Sequence, residues 1–527
     1  SSQELHIESP VQAVQIGDPI TQKKMSDMLL EARDRGLFSA ITDNGAGGLS
    51  SSVGEMAETP GGAEVDLAQA PLKYAGLQPW EIWLSEAQER MTLAVPAEKI
   101  DELSALAKRR DVELTVLGTF NDSGFLTLRY GPQVVGRLEL RFMHEGYPRL
   151  ELGARWHIPH FPQPALPAAG RDLNGDLRGM LERLNIASKA GKCRQYDHEV
   201  KGRTIVKPLV GRNRDVPADA TVFLADYTSR EGIVLATGFN AHYSDLDTYW
   251  MMASAVDMAV RRILAAGGRP DFIAGLDNFC WPDPVLSEST PDGTYKMAQL
   301  VRACRALKDV CVAYGVPLIS GKDSMKNDST RGGRKISIPP SVLFSAIGKI
   351  DHVERAITLE AKAAGDYVYV VGWTRPEMGG SEYAHYLSDR AGEPEDHRSI
   401  GGTPPRLDPG RARKLYEAVA GATAGKGVRS LHAPTLGGLG VGLAMVAFGG
   451  ELGLEIDLGE LPTQAEGSTA MSEAQMLFSE SNARFIATVA PDRAEAFEIA
   501  LQGHPFGRIG RVTETRRLFV RGQDGNP

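Results

Sequence analysis

Residues 41–58 read ITDNGAGGLSSSVGEMAE, and residues 431–450 read LHAPTLGGLGVGLAMVAFGG. In both stretches an apolar run ends in a glycine turn, and an apolar segment with helical spacing follows. A second pair of stretches, LSEAQERM (84–91) and FSESNARF (478–485), is separated by 394 positions, and the two glycine pairs are separated by 390. Repetition at this distance indicates a duplicated large domain rather than a solenoid.

The composition places the chain among globular proteins of three or four domains, because 527 residues exceed what one core holds. A net charge of −9 without a basic run argues against a nucleic-acid binder. No apolar run approaches the length of a membrane span, and no signal-like segment is evident. The four cysteines are widely spaced and form no C-x-x-C pair, so we expect a cytoplasmic protein whose thiols pack as small hydrophobic groups.

The repeat divides the sequence into four segments. We expect a first copy at 1–155, a proline-rich connector at 156–195, a different α/β unit at 196–354 and a second copy at 355–527. Proline-rich HIPHFPQPALPAAG (157–170) favours an extended stretch lying on a surface. His157 and His160 have no acid or cysteine beside them, so a packing role is favoured over a metal pair.

Hydrophobic periodicity predicts individual elements inside these segments. We expect helices at 20–36, 100–110, 248–268 and 297–315, and strands at 90–95 and 113–120.

Asp43 stands at the end of an apolar run, ahead of the first glycine turn. Such a turn presents backbone N–H groups to phosphate oxygens, and a carboxylate beside it can hold Mg²⁺. The alternative is a helix-capping acid, which on its own is the more common role. In the second copy the aligned residue is Ala433, although the glycines remain. A cap needed by the fold would be present in both copies, so Asp43 is favoured as a metal ligand.

Polar residues elsewhere are weaker candidates. Glu86 is shared by both copies, which fits a role in the fold as well as a role in binding. Gln88 becomes Asn482, and Gln15 lies on a loop-like stretch where a surface amide is the simpler interpretation. No H-E-x-x-H or G-x-S-x-G motif occurs, so zincins and serine hydrolases are not supported.

LISGKDSMKND (318–328) resembles the end of a P-loop, but Val316 and Asp323 break the required spacing. We still expect a glycine turn there, carrying Lys322 and Ser324 toward a phosphate. Asp277 ends another apolar run, where a capping role and a binding role are equally compatible with the sequence.

Six motifs together carry a family resemblance. The motifs, in chain order, are VQIGDP, DNGAGGLSSSVGEMAE, PWEIWLSEAQERM, YDHEVKGRTIVKPLVG, GLDNFCWPDP and SGKDSM. With them the chain, from residue 11 to about 515, resembles the synthetase subunit of the phosphoribosylformylglycinamidine synthase family. The resemblance implies a duplicated α/β (α+β) fold like that of aminoimidazole ribonucleotide synthetase, with B1-A2-B2 domain order here.

The resemblance also implies a reaction. ATP and Mg²⁺ would activate the amide oxygen of formylglycinamide ribonucleotide as a phosphate ester, and ammonia from a class-I glutaminase would displace it in purine biosynthesis. By position, Asp43 matches the Mg²⁺ ligand, and the residues that match substrate contacts are Gln15, Glu86, Ala87, Gln88 and Ser324. Asp277 and Gly321 match ATP contacts. Lys322 replaces a metal-binding asparagine, and since an ammonium cannot ligate Mg²⁺, a phosphate contact is expected.

Parts of the family pattern are not matched. The family's accessory nucleotide site would fall on Ala433, Leu436 and Arg261, with only Asp257 preserved, so we expect no ordinary Mg-nucleotide binding there. The first A domain, with its catalytic histidine loop, has no counterpart in these residues, which leaves the catalytic residues unknown. We expect that domain in the same chain or a separate one, with a glutaminase as partner.

Two other interpretations remain open at this point. The chain could be a non-catalytic scaffold half that docks a synthetase or glutaminase partner, although substrate and metal groups retained in one copy argue against it. Aminoimidazole ribonucleotide synthetases and selenophosphate synthetases have one A and one B domain, which fits the B1-A2-B2 order less well.

Overall fold

A computed structural model describes residues 14–15, 17–195, 198–199, 201–332, 334–425, 427–465 and 470–523. The chain forms two compact units, residues 1–151 and residues 152–527.

Unit 1 contains both helices and strands. Its helices are α1 (Pro19–Asp34), α2 (Gly48–Met56), α3 (Pro79–Leu84), α4 (Ile100–Arg109) and α5 (Leu140–Glu145). Its strands are β1 (Val14–Gln15), β2 (Ala40–Asp43), β3 (Ala63–Asp66), β4 (Glu86–Ala87), β5 (Met91–Ala94), β6 (Gly118–Phe120), β7 (Phe125–Tyr130) and β8 (Gln133–Glu139).

The described strands of unit 1 form three separate sheets. Strand β1 pairs with β4 in parallel, β2 pairs with β5 antiparallel, and the third sheet has the order β6-β3-β7-β8. Its apolar residues form two clusters. One contains Met28 and Leu103 from α1 and α4, and the other contains Leu49 of α2 and Leu126 of β7.

Local sequence accounts for the two helices of the first cluster. The Asp18 side chain accepts a hydrogen bond from the N–H of Thr21, and Pro19 takes the first helical position of α1, where its missing N–H costs nothing. In α4, Leu103 and Leu106 are three positions apart and both are buried, as expected for an amphipathic helix.

Unit 2 is larger. Its helices are α6 (Asn174–Glu182), α7 (Ala190–Gln195), α8 (Thr248–Ala265), α9 (Gly293–Tyr314), α10 (Glu382–Ala391), α11 (Pro409–Thr423), α12 (Gly438–Gly450), α13 (Glu473–Phe478) and α14 (Ala494–Ala500). Its strands are β9 (Thr204–Val206), β10 (Leu209–Val210), β11 (Val216–Pro217), β12 (Thr221–Leu224), β13 (Gly232–Gly238), β14 (Ile273–Cys280), β15 (Leu318–Ser324), β16 (Asp328–Arg331), β17 (Arg334–Ser337), β18 (Ser341–Ile350), β19 (Tyr367–Val371), β20 (Val428–His432), β21 (Gly453–Asp457), β22 (Phe485–Val489), β23 (Phe506–Thr513) and β24 (Leu518–Arg521).

Two six-stranded sheets organise unit 2. The first has the order β15-β14-β18-β13-β12-β9, and the second has the order β20-β22-β19-β23-β21-β24. Helix α8 is buried along almost its whole length, including Met251, Met252 and Ile263, and belongs to the single large apolar cluster of this unit. This helix therefore forms the centre of the unit.

The sequence repeat is reproduced in strand register. Ile41 pairs with Leu93 in unit 1, and Leu431 pairs with Ala487 in unit 2. The same holds between β3 and β6, where Val65 pairs with Gly118, and between β21 and β23, where Ile456 pairs with Gly510. The spacing predicted from the sequence thus corresponds to equivalent pairings in the two units.

Two of the expected elements are wrong in part. Of the strand expected at 113–120, only β6 (Gly118–Phe120) is formed. The glycine turn expected around Gly321 is instead a continuous strand, because β15 pairs along its length with β14. The other expected helices and strands are present within a few residues of the predicted bounds.

The proline-rich connector is extended and packs on unit 2. The carbonyl of Pro162 accepts a hydrogen bond from the Gly401 N–H over 2.7 Å, and Leu166 contacts the large cluster. His157 stacks on Tyr295 at 4.1 Å between ring centroids, which is a packing role. None of the helices described is long and apolar enough to cross a lipid bilayer.

All four cysteines are free thiols. Cys311 is buried, and burial raises its pKa to about 12. Cys280 and Cys304 are exposed, so the expectation that all four are packed as small hydrophobic groups is wrong for these two.

Candidate functional site

Asp43 is the last residue of β2 and its side chain is exposed. Its Oδ1 accepts a hydrogen bond from the Gly45 N–H over 2.8 Å, which closes the first turn of the glycine loop. In the described part of the chain no hydrogen bond reaches Oδ2. Asp43 is not a cap of α2, because the residue before that helix is Gly47, which offers no side chain. One carboxylate oxygen of this exposed side chain thus accepts no hydrogen bond from the described residues.

The two glycines after Asp43 are required by the backbone. Gly47 has φ 83° and Gly48 has φ 56°, both in the left-handed region. A Cβ on Gly48 would lie 2.3 Å from the carbonyl oxygen of Ser85, so any side chain there would displace the segment that carries Glu86. The glycine loop and the SEAQ segment are therefore in direct backbone contact.

A network of hydrogen bonds between buried and partly buried polar side chains holds the same loop in place. Ser52 Oγ donates to Asn44 Oδ1 over 2.8 Å, and Asn44 Nδ2 donates to Thr92 Oγ1 over 3.0 Å. The Ala87 N–H donates to the carbonyl of Asn44 over 3.1 Å. These bonds fix the loop, α2 and β5 to one another.

The structure brings two of the predicted substrate-contact segments together. Strand β1 runs parallel to β4, with Val14 opposite Glu86 and Gln15 opposite Ala87. Glu86 is partly exposed, Ala87 is buried and Gln88 is exposed. The side chain of Gln15 lies outside the described part of the structure. Of the predicted contacts, Glu86 and Gln88 can offer side chains to a ligand, while Ala87 offers backbone.

The second copy has the same loop geometry, and a buried carboxyl group accepts a hydrogen bond from its loop. Gly437 has φ 78°, and a Cβ on Gly438 would lie 2.3 Å from the carbonyl oxygen of Ser479. Glu480, the counterpart of Glu86, is fully buried and accepts from the N–H groups of Gly437 and Glu382 over 2.7 and 3.0 Å. Burial raises the pKa of Glu480 to about 7. This carboxylate therefore serves the fold.

Beside this second loop, both carboxylate oxygens of Asp257 accept hydrogen bonds from other groups of the protein. Its Oδ2 accepts from Arg261 Nε over 2.6 Å and from the Ala483 N–H over 3.2 Å. Its Oδ1 accepts from the hydroxyls of Tyr314 and Tyr416. The Arg261 guanidinium also donates to the carbonyls of Pro434 and Arg484. Asp257 and Arg261 were both singled out from the sequence, but their pairing and the two tyrosines were not predicted.

In unit 2 the other predicted residues lie on two paired strands. Asp277 in β14 is opposite Gly321 in β15, and a Cβ on Gly321 would lie 3.3 Å from Asp277 Oδ1. Burial raises the pKa of Asp277, and the nearby Asp323 raises it further. No cationic side chain in the described part of the chain pairs with Asp277.

Lys322 and Ser324 are on the exposed edge strand of this sheet, β15. Lys322 Nζ donates to Ser324 Oγ over 2.8 Å, since side chains two residues apart share one face of a strand. The Lys322 ammonium is otherwise exposed. This arrangement can donate to phosphate oxygens without the turn expected from the sequence.

A polar cluster not predicted from the sequence contains His242, Asp245 and His385, whose ligand atoms lie within 4.8 Å of one another. His385 Nδ1 lies 3.1 Å from Arg398 Nη1, and a guanidinium can only donate, so Nε2 carries the ring proton and has no lone pair for a metal. His242 Nε2 lies 3.3 Å from Glu382 Oε1. His242 and His385 are thus each held by a charged side chain of the protein, Glu382 and Arg398 respectively.

Comparison with known families accounts for the repeat. Residues 1–131 and 363–523 both match the C-terminal domain of AIR synthase related protein, and residues 217–350 match the N-terminal domain. The chain belongs to the family of AIR synthase related proteins. The same family domain therefore matches twice in this chain, on either side of its N-terminal partner domain.

Curated relatives of this member are named phosphoribosylformylglycinamidine synthase subunit PurL. The protein of Ignicoccus hospitalis is 32% identical over 96% of this chain and 66% of its own length. The protein of Thermoplasma acidophilum is 29% identical over 95% of this chain and 62% of its own. The chain thus spans slightly less than two thirds of the length of these relatives.

Solved structures agree on the fold. Thermotoga maritima PurL complexed with ADP matches with a TM-score of 0.62 and 21% identity. The match covers 94% of this chain and 68% of the Thermotoga chain. The same protein complexed with FGAR also has a TM-score of 0.62, with 20% identity, over 95% of this chain and 66% of its own. The duplicated α/β fold predicted from the sequence is confirmed.

Proposed function

We propose that this chain is part of an ATP-dependent C–N ligase that converts formylglycinamide ribonucleotide to formylglycinamidine ribonucleotide. The observation that carries the proposal is similarity to PurL proteins over 95–96% of the chain, together with a glycine loop that keeps its acid in one copy only. Structures of one PurL hold ADP and FGAR. We therefore propose the same two ligands for this chain.

The proposed chemistry moves one phosphoryl group. The γ-phosphoryl of ATP passes to the amide oxygen of the substrate and ADP leaves. Ammonia then attacks the activated carbon, the C–O bond breaks, phosphate leaves and a proton is lost to give the amidine. Holding a charged phosphoryl donor requires cationic and N–H donors close to it.

Unit 1 is proposed to contribute Asp43 and the SEAQ segment. Glu86, Ala87 and Gln88 would contact the substrate, with Gln15 beside them on the paired strand β1. The backbone of the glycine loop is already held by the Asn44 network, so these groups are positioned before any ligand arrives. Such positioning lowers the cost of ordering a ligand.

Asp43 fits a Mg²⁺ ligand by the chemistry of its donor. Mg²⁺ prefers oxygen and is usually held by one or two carboxylates together with substrate phosphates. Asp43 is exposed, and Oδ1 alone is used by the Gly45 N–H. A bound Mg²⁺ would neutralise phosphate charge during transfer.

Unit 2 is proposed to contribute nucleotide contacts from β14 and β15. Asp277 and Gly321 would contact ATP, and Lys322 would donate to a phosphate oxygen. Ser324, which already accepts from Lys322 over 2.8 Å, would donate its hydroxyl proton to the substrate. Lys322 thereby orients Ser324 as well.

The second copy is proposed to be structural. The retained acid Asp257 is paired with Arg261, and Glu480 accepts from the loop N–H of Gly437. The domain order B1-A2-B2, with boundaries near 155, 195 and 354, belongs to this proposal. So does a glutaminase partner, which is consistent with a PurLQS complex of Thermotoga maritima.

The experiment measures ADP release with ATP, Mg²⁺, formylglycinamide ribonucleotide and ammonium chloride. It uses the chain together with the region of a PurL relative that the chain does not match. Asp43→Asn should lower the rate at least about 100-fold, as expected for a group that stabilises transferring charge. Asp122→Asn, an exposed acid in a loop of the same unit, is the matched control. Equal measurable rates for all three proteins would contradict the assignment of Asp43 as a metal ligand, and no ADP release from any of them would favour the scaffold alternative.

A further inference from the structure

Glu89 directly follows the SEAQ segment and has a backbone conformation that L-residues rarely adopt. Its φ is 54°, in the left-handed region. The residue forms the corner between β4, which ends at Ala87, and β5, which begins at Met91. The orientation of the exposed Gln88 therefore depends on this corner.

The side chain of Glu89 is bound to a second loop of the same unit. Its Oε2 accepts a hydrogen bond from the Asp18 N–H over 3.0 Å. Asp18 is the N-cap of α1, and its side chain accepts from the Thr21 N–H, so this N–H is held at the start of the helix. The loop that leads to Asp18 begins after Gln15, the last residue of β1. One hydrogen bond thus connects the two segments that carry proposed substrate contacts.

Gly17 leaves the space that this contact occupies. A Cβ on Gly17 would lie 2.2 Å from Glu89 Oε2 and 2.5 Å from Oε1. Both distances are far shorter than a van der Waals contact, so any side chain at position 17 would displace the carboxylate. The hydrogen bond to Asp18 therefore requires glycine at this position.

The second copy has the same corner with a different support. Ala483 stands at the place of Glu89, 394 positions later, and its φ is 56°. The Ala483 N–H donates to Asp257 Oδ2 over 3.2 Å. The corner is thus part of the repeated fold, and a carboxylate at this position is not required to form it.

The residue opposite the corner has changed as well. Helices α1 and α11 both begin with an Asp-Pro pair, and 408 − 18 gives the same offset of 390 as the glycine pairs. Leu407, which is buried, therefore stands where unit 1 has Gly17. A large residue at 407 faces a small one at 483, whereas glycine at 17 faces a glutamate at 89. The glutamate occurs in the copy that also keeps Asp43.

We propose that Glu89 is a positioning residue for the substrate, an inference that rests on the proposed function. Its carboxylate holds the loop after Gln15 against the SEAQ segment, so that the backbone carrying Gln15 and Gln88 keeps one arrangement. Groups that are held in place before binding need not be ordered by the ligand. The role requires an acceptor at this position and no charge, and an amide oxygen also accepts from an N–H.

The test measures kcat and KM with ammonium chloride, using the chain supplemented with the unmatched region of a PurL relative. Glu89→Ala should raise the KM for formylglycinamide ribonucleotide about tenfold, less than the roughly 100-fold that a misplaced reacting group costs. Because binding is affected rather than chemistry, kcat should change little. The KM for ATP should stay the same, since the proposed nucleotide contacts lie on β14 and β15. Glu89→Gln should restore the wild-type KM, and Glu98→Ala, at an exposed position of the same unit, is the matched control.

Gly17→Ala tests the contact from its other side. The added Cβ should displace the Glu89 carboxylate, so this variant should raise the same KM by a similar factor. In the Glu89→Ala background the obstacle is gone, and Gly17→Ala should have no further effect. Two residues that act through one contact are expected to show such non-additivity.

A wild-type KM for Glu89→Ala in an active enzyme would overturn the inference alone. So would a large loss of kcat in Glu89→Gln, because the carboxylate would then be needed for its charge. Equal effects of Gly17→Ala in the two backgrounds would show that position 17 does not act through Glu89, with the same consequence. An inactive wild-type enzyme would contradict the proposed function and this inference together.

Discussion

Arg261 Nε donates to Asp257 Oδ2 over 2.6 Å, and neither side chain reaches solvent. A buried pair of this kind gains little over apolar packing, but breaking it leaves one charge unpaired at a cost of several kcal/mol. Both residues belong to the position where the family resemblance implies an accessory nucleotide site. The pair is the physical reason to propose a structural role for that position.

Arg261→Met should destabilise the chain by about 3–5 kcal/mol, because Asp257 would remain buried without its cation. Urea denaturation measures the loss. Arg230→Met removes an exposed arginine that lies 3.1 Å from Glu354, and it should cost less than about 1 kcal/mol. The double variant Asp257→Asn, Arg261→Met should recover part of the loss. Similar losses for the buried and exposed variants would contradict this account.

Gly48→Ala should destabilise the chain more than Gly131→Ala. The two residues have almost the same φ, 56° and 58°, so both substitutions add backbone strain of about 1 kcal/mol. Only at Gly48 does a Cβ meet a carbonyl, that of Ser85, whereas nothing lies within 4 Å at Gly131. Thermal unfolding of the two variants compares them, and equal shifts in Tm would show that the close approach is not important.

Glu480 should make stability depend on pH. Its folded pKa is raised to about 7 from an ordinary 4.5, so the folded state binds the proton more tightly. The associated stability is fully present below pH 4.5 and is lost as pH rises to about 7. Urea denaturation between pH 4.5 and 8 should therefore show that the free energy of unfolding of the wild type decreases relative to that of Glu480→Gln, whose side chain cannot ionise. The control Glu495→Gln, at an exposed position, should show the same pH dependence of the free energy of unfolding as the wild type. If Glu480→Gln also showed the wild-type pH dependence, the assignment of a buried carboxyl group to Glu480 would be contradicted.

Lys322→Ala should weaken binding of Mg-ATP by about tenfold, the lower end of what a charge-assisted hydrogen bond contributes. Equilibrium dialysis with labelled ATP measures it. Lys326→Ala is the matched control, since this exposed lysine follows the same strand and lies 3.7 Å from Asp283. If both variants bind equally well, Lys322 is not a phosphate contact.

Sequence patterns predicted the elements that depend on local periodicity. Helix α8 was expected at 248–268 and extends over Thr248–Ala265, because a long apolar helix carries its own signal. The strand expected at 113–120 is mostly unformed, since a strand also needs neighbours. Gly321 indicated a turn, yet it lies within β15, where the Asp277 carboxylate approaches the position of a Cβ.

The candidate site was predictable only in part. Asp43 could be singled out because the second copy has Ala433 at its place. The tyrosines that bind Asp257 are 57 and 159 positions away from it, a separation that periodicity does not record. The spacing of Asp257 and Arg261 at i, i+4 on an apolar helix was the one available signal for their pairing.

The most direct test of the proposed ligase follows an oxygen atom. Formylglycinamide ribonucleotide labelled with ¹⁸O at the amide is incubated with ATP, Mg²⁺, ammonium and the chain supplemented with the unmatched region of a PurL relative. Phosphorylation of the amide oxygen predicts one ¹⁸O in the inorganic phosphate for each amidine formed, with labelled phosphate accumulating at least about 100-fold more slowly for Asp43→Asn. Amidine formed without label in phosphate, or no amidine with any supplement, would contradict the account.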